Sequence, residues 1–98
     1  MTDKSFEEIF KIANLINNLH EEAYRKYLGP VNMLCNNLNA SENEVDMMLD
    51  YLFDFCGNEK VLGLYKKVCR TFYKEYPECI ANHIMWYREQ YDSEPLKN

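Results

Sequence analysis

Cys79 and His83 stand four residues apart near the carboxyl end, a spacing at which a helix turns a thiol and an imidazole toward one point. With Cys56 and Cys69 they would supply three thiolates and one imidazole, a donor set suited to zinc. The arrangement is C-x12-C-x9-C-x3-H, without the close cysteine pair on which such sites are usually built. Cys56 and Cys69 also fall on apolar stripes, where small buried residues are common. The sequence therefore predicts no metal and no other cofactor. His20 beside Glu21, and His83 with Cys79, are the only sets able to act as acid, base or nucleophile. Neither comes with a glycine-rich oxyanion or phosphate loop, so no enzymatic activity is expected.

Charge spacing carries more information. In NEVDMMLDYLFDFCGNEKVLGLYKKVCRTFYK, residues 43–74, Asp46, Asp50 and Asp54 recur every four residues, and Lys66, Arg70 and Lys74 do the same further on. Each four-residue step advances about 6 Å along a helix, so the aspartates would form a row about 12 Å long. Between Lys26 and Lys60 there is no lysine or arginine, yet Glu42, Glu44, Asp46, Asp50, Asp54 and Glu59 all lie there. Such acids repel one another until a basic partner arrives. The predicted partner-binding surface is Glu44, Asp46, Met47, Asp50, Tyr51 and Asp54, with carboxylates imitating spaced phosphates and the apolar side chains holding the complex. Two other arrangements compete with it. The basic helix of the same chain could neutralise the row, through exposed pairs contributing about 0 to 1 kcal/mol each. Alternatively, the acidic row of one copy could meet the basic row of another, giving a homodimer. A further alternative has Lys66, Lys67, Arg70 and Lys74, bordered by Tyr73, following a nucleic-acid backbone. A net charge of −5 and the lack of any DNA-binding motif make that the lesser reading.

The elements that must position these residues are helices. Ninety-eight residues, 47% of them hydrophobic, suit one domain, and three glycines with three prolines are too few for the turns of an all-β chain. Apolar residues recur at three- and four-residue steps, which predicts an all-α compact bundle with helices over about 6–28, 31–38, 42–56, 59–76 and 78–91. Ser5 with Glu8 and Ser41 with Glu44 read as capping boxes, and Asn58 as an N-cap. Gly29 and Pro30 are expected to stop the first helix, and the NNLNA segment to form a turn. Phe6, Ile9, Phe10, Ile16 and Leu19 are expected to face the core, as are Ile80, Ile84, Tyr87 and Tyr91, with Cys79, His83 and Trp86 along one flank. Residues 93–98 read as a frayed tail. The amino terminus, MTDKSFEEIFKI, has acids where a secretory leader would be basic, and no apolar run reaches 18 residues. A cytoplasmic protein with reduced cysteines and no membrane association is expected.

The stretch from Asp50 to Glu94, DYLFDFCGNEKVLGLYKKVCRTFYKEYPECIANHIMWYREQYDSE, resembles small helical proteins of phages and mobile elements of low-GC bacteria, among which anti-CRISPR inhibitors are one class. The resemblance implies stoichiometric inhibition of a host defence protein, by occluding a surface meant for nucleic acid in the host cytoplasm. It carries no residue roles.

Overall fold

The computed structural model describes residues 2–91, with side chains from residue 6 onward, and the predicted tail at 93–98 lies outside the described residues. It contains α1 (Thr2–Cys35), α2 (Glu42–Phe53), α3 (Glu59–Phe72) and α4 (Pro77–Tyr91), and no strand among the described residues. The fold is all-α. None of its helices is long and apolar enough to cross a membrane, among the described residues.

Local signals account for most of the boundaries. The Ser41 hydroxyl accepts from the Glu44 amide at 3.1 Å, and the Glu44 carboxylate accepts from the Ser41 amide at 2.9 Å. This reciprocal box starts α2. The Asn58 side chain accepts from the amides of Lys60 (2.8 Å) and Val61 (3.2 Å), which starts α3. Residues 36–40 turn as NNLNA predicts, with the Asn39 amide donating to the Asn37 side chain at 2.9 Å. The helices are shorter than the sequence implied at two places. α2 gives way to turns at 54–57 and α3 to turns at 73–76, so the predicted ends at 56 and 76 were too late.

α1 departs from expectation in three ways. It begins by Thr2, so Ser5 and Glu8 lie inside it rather than at its start. It also runs straight through Gly29 and Pro30, merging the two predicted helices 6–28 and 31–38 into one of 34 residues. No described residue has the positive φ that a glycine cap would need. A helical glycine costs about 1 kcal/mol and an interior proline about 3 kcal/mol. Burial just beyond them offsets this: Val31 is fully buried, Leu34 and Cys35 pack against the core, and a buried side chain of this kind contributes about 1.5–3 kcal/mol.

The third departure is the largest. The core is built from Ala23 and Val31 of α1, Val45, Leu49 and Leu52 of α2, Val61, Leu64, Tyr65, Val68, Cys69 and Phe72 of α3, and Ile80 of α4, closed by Ala40 and Cys56. The amino-terminal half of α1 takes no part in it. Phe6, Ile9, Phe10, Ile12, Leu15, Ile16 and Leu19 are 49–65% exposed, where the sequence placed most of them inward. α1 projects beyond the other three helices as an arm. The molecule measures 57 × 39 × 16 Å with a radius of gyration of 16.3 Å, against about 13 Å for a compact domain of this length.

Three tyrosine hydroxyls tie the short elements together. Tyr76 donates to the Ala40 carbonyl (2.6 Å), Tyr65 to the His83 carbonyl (2.9 Å) and Tyr91 to the Phe53 carbonyl (2.7 Å). α4 is rotated from its predicted setting: Cys79, Ile80 and His83 face inward, while Ile84 and Tyr91 are partly solvated. Replacing Gly29 by alanine tests the continuous helix, because an added Cβ there meets nothing within 4 Å. Gly29→Ala should stabilise the protein by about 0.5–1 kcal/mol, a rise of several degrees in Tm. A left-handed cap at Gly29 would give a loss instead.

Candidate functional site

α2 buries Val45, Leu49 and Leu52, so the remaining arc of the helix faces outward. Along that arc the six residues predicted to bind a partner are divided. Asp46 and Asp50 line the side facing α4. Glu44, Met47 and Tyr51 line the side facing the end of α1, in an apolar groove of about 430 Å3 with Pro30, Met33 and Met48. Tyr51 stacks there on Tyr27, the ring centroids 6.0 Å apart. Asp54 caps the carboxyl end of α2 and is exposed. No lysine or arginine pairs with Asp46, Asp50 or Asp54 among the described residues, where Lys60 with Glu21, at 3.2 Å, forms an ion pair elsewhere.

The side of α2 facing α4 has the more elaborate chemistry. His83 lies beneath it, 1% exposed, with Nε2 2.7 Å from Asp46 Oδ1. Its other nitrogen, Nδ1, is buried without a hydrogen-bond partner and sits 3.9 Å from Asp50 Oδ1. The Cys79 thiol points at the same Asp46 oxygen from 3.9 Å. Trp86, half exposed, stands edge-on to the imidazole with ring centroids 5.1 Å apart. Two adjoining grooves share His83 and Trp86. One, of about 430 Å3, adds Glu42, Asn43, Asp46, Glu78, Cys79 and Asn82; the other, of about 350 Å3, adds Asp50, Phe53, Glu89 and Gln90. Five carboxylates thus line the two grooves that share one exposed indole, and no lysine or arginine lines either groove. Burial pushes the Cys79 thiol up from its ordinary value, and the negative charges of Asp46 and Glu42 push it further.

The four-ligand zinc set does not assemble. Cys56 is buried, its thiol donating to the Leu52 carbonyl at 3.4 Å, and burial pushes it up to about 12. Cys69, also buried, is pushed up to about 11 for the same first reason. Such thiols are inert packing groups. Among the described residues, the metal-ligating atoms brought within 4.8 Å of one another are those of Asp46, Cys79 and His83. His20 and Glu21 do not form an acid–base pair. His20 packs edge-on against Phe55, and Glu21 accepts from Lys60 and Asn58, bonds that hold its carboxyl below the usual value.

Of the basic residues predicted as a nucleic-acid surface, Lys66 and Arg70 share one groove, and Lys67 and Lys74 have other surroundings. Lys67 donates to the Asn32 side chain at 2.6 Å, on the α1 side. Lys66 and Arg70 border an apolar groove of about 310 Å3 between α3 and α4, joined by Arg88, and Lys74 lies in the turn after α3. Sequence reasoning missed the α4 wall of the acidic groove. Its signal was present, because Glu78, Asn82, Trp86 and Glu89 follow one another at steps of four, four and three. Compared with family models, curated proteins and solved structures, the chain matches none, so its chemistry rests on these side chains alone.

Proposed function

We propose that this protein is a protein-binding module whose acidic α2–α4 groove takes a basic segment of a partner, occluding a surface that the partner uses for nucleic acid. The observation that supports this most is that Glu42, Asp46, Asp50, Glu78 and Glu89 line the two adjoining grooves that share exposed Trp86, with no lysine or arginine among the lining residues. An arginine entering the groove meets both needs of its side chain. Its guanidinium stacks on the indole, contributing about 0.5–2 kcal/mol, and its N–H groups donate to carboxylates, at about 1.5–3 kcal/mol per charged bond. On the other side of α2, Met47 and Tyr51 line a separate apolar groove that offers a partner further contact area. An inhibitor working in this way, as the resemblance to phage-encoded proteins suggests, needs no catalytic group.

Asp50→Lys with Glu89→Lys should leave helicity and Tm nearly unchanged while weakening binding of an arginine-rich peptide at least tenfold in calorimetry. Asp46 is kept because it holds His83. Chelator in the buffer removes any contribution from metal. Equal affinity of the variant and the parent would rule the groove out.

A second reading, self-association, is favoured by the arm of α1. At roughly 100 Å2 apiece its seven exposed apolar side chains present on the order of 700 Å2. That exceeds the largest apolar patch of most monomers, about 300–600 Å2, and approaches the ~800 Å2 per partner of a standard interface. Phe6, Ile9, Ile12, Ile16 and Leu19 follow one another at three- and four-residue steps, a face that another helix of like pattern can cover, and the arm of a second copy is one. Glu7, Lys11 and Glu21 lie on the opposite side of the helix by their spacing, whereas Glu8 falls beside Leu15 and Leu19 at the margin of the apolar face. Sedimentation should show a dimer that Ile9→Glu with Ile16→Glu converts to a monomer that still unfolds cooperatively, its Tm no longer rising with protein concentration. A parent protein that stays monomeric at about 100 µM sinks this reading.

A further inference from the structure

We propose that Asp46, Cys79 and His83 form a metal site of the zinc class that joins α4 to α2. The three residues offer a hard oxygen, a borderline nitrogen and a soft sulfur, a mixture that zinc accepts, whereas magnesium and calcium take oxygen donors. Two of them sit one helical turn apart on α4, and the third reaches across from α2. Their ligating atoms already lie within 4.8 Å of one another. Bond lengths of about 2.0–2.3 Å place the donors of a tetrahedral zinc about 3.3–3.6 Å apart. The 3.9 Å between the Cys79 sulfur and Asp46 is within a few tenths of that, and the 2.7 Å between Asp46 and His83 Nε2 is a hydrogen bond whose proton a metal would replace.

The independent sign is the unpartnered nitrogen. A neutral imidazole carries one proton, and with that proton on Nε2 toward Asp46, the buried Nδ1 is an acceptor with no donor near it. Metal at Nε2 reverses the tautomer. The proton then sits on Nδ1 and points toward Asp50, 3.9 Å away on an exposed side chain free to rotate closer. A carboxylate receiving the far N–H is the usual outer support of a metal-bound histidine. Asp50 is thus a positioning residue and not a ligand. Binding releases the Cys79 thiol proton, so affinity falls as pH is lowered. The fourth position would take water, in a groove that Glu42 and Glu78 also line.

This inference stands independently of the partner reading, because it concerns the isolated protein. Chelator-treated protein titrated with cobalt(II), then zinc(II), should bind one ion per chain, develop thiolate-to-cobalt charge-transfer absorption, and gain thermal stability. Cys79→Ser should weaken binding at least 100-fold and remove the charge-transfer band, whereas Cys35→Ser should change neither. Asp46→Asn gives a second variant that keeps the histidine and its packing, with a loss of at least tenfold expected. Asp50→Asn should keep one-to-one binding but weaken it about 10–100-fold, as outer-shell carboxylates do. No binding at micromolar metal, or less than tenfold loss in Cys79→Ser, overturns the proposal.

Discussion

Length mismatch governs the shape of this protein. A 34-residue helix is about 51 Å long, whereas the 12 to 15 residues of α2, α3 and α4 span about 18–22 Å. Short helices packed at one end of a long one cannot cover the whole of it. They gather on the carboxyl-terminal half of α1, where Ala23 and Val31 are buried, and leave the rest uncovered. The small core must then be closed by devices other than area. Tyrosine hydroxyls aimed at backbone carbonyls and the caps at Ser41 and Asn58 do this, each satisfying a group that a larger protein would have more room to bury.

α4 shows the consequence most clearly. Its residues in the central core are few, with Ile80 the fully buried apolar one, and the next inward position is His83 rather than an aliphatic side chain. Its place is held instead by polar and aromatic bonds: Asp46 to His83, Tyr65 to the His83 carbonyl, Tyr91 to the Phe53 carbonyl, and the ring contacts of Phe53, Tyr65, Tyr87 and Tyr91. A buried imidazole is a costly residue to put at a helix–helix contact unless both its nitrogens are used. One is used here and the other is not. The groove above it stays polar because its floor is polar.

Much of the fold was legible in the sequence, and the failures have identifiable causes. Helix type, the box at Ser41, the cap at Asn58 and the inward faces of α2 and α3 followed from local side-chain chemistry, which is decided within a turn or two of the chain. Gly29 and Pro30 misled because their local preference was overruled by burial of Val31, a tertiary effect invisible to propensity. Apolar periodicity in residues 6–19 was real, but periodicity says only that a face wants cover and not that the same chain supplies it. For the candidate site, the aspartate row and the Cys79–His83 spacing were visible. Their meeting was not, since the distance between residues 46 and 83 is set by how α2 and α4 dock.

That docking also explains why an acidic and a basic stripe on consecutive helices fail to neutralise each other. α2 and α3 pack through Val45, Leu49 and Leu52 on one and Val61, Leu64 and Val68 on the other. When two amphipathic helices bury their apolar faces against one another, their charged faces point away from the shared contact. Residues on the margins meet other helices instead: Lys60 of α3 pairs with Glu21 of α1, and Asp46 of α2 bonds His83 of α4. Charges at the centre of a polar face, such as Asp50, are left to solvent by the same geometry that makes the core. Free carboxylates on α2 are therefore what amphipathic packing produces, and free charge alone says nothing of purpose. What distinguishes the α2–α4 side is the second wall. Glu78 and Glu89 bring more negative charge to a place already acidic, where ordinary pairing would have brought lysine, and they line the two grooves that share an exposed indole. Repulsion of that kind costs stability in the free protein and is recovered only when a cation, whether metal or side chain, enters the groove.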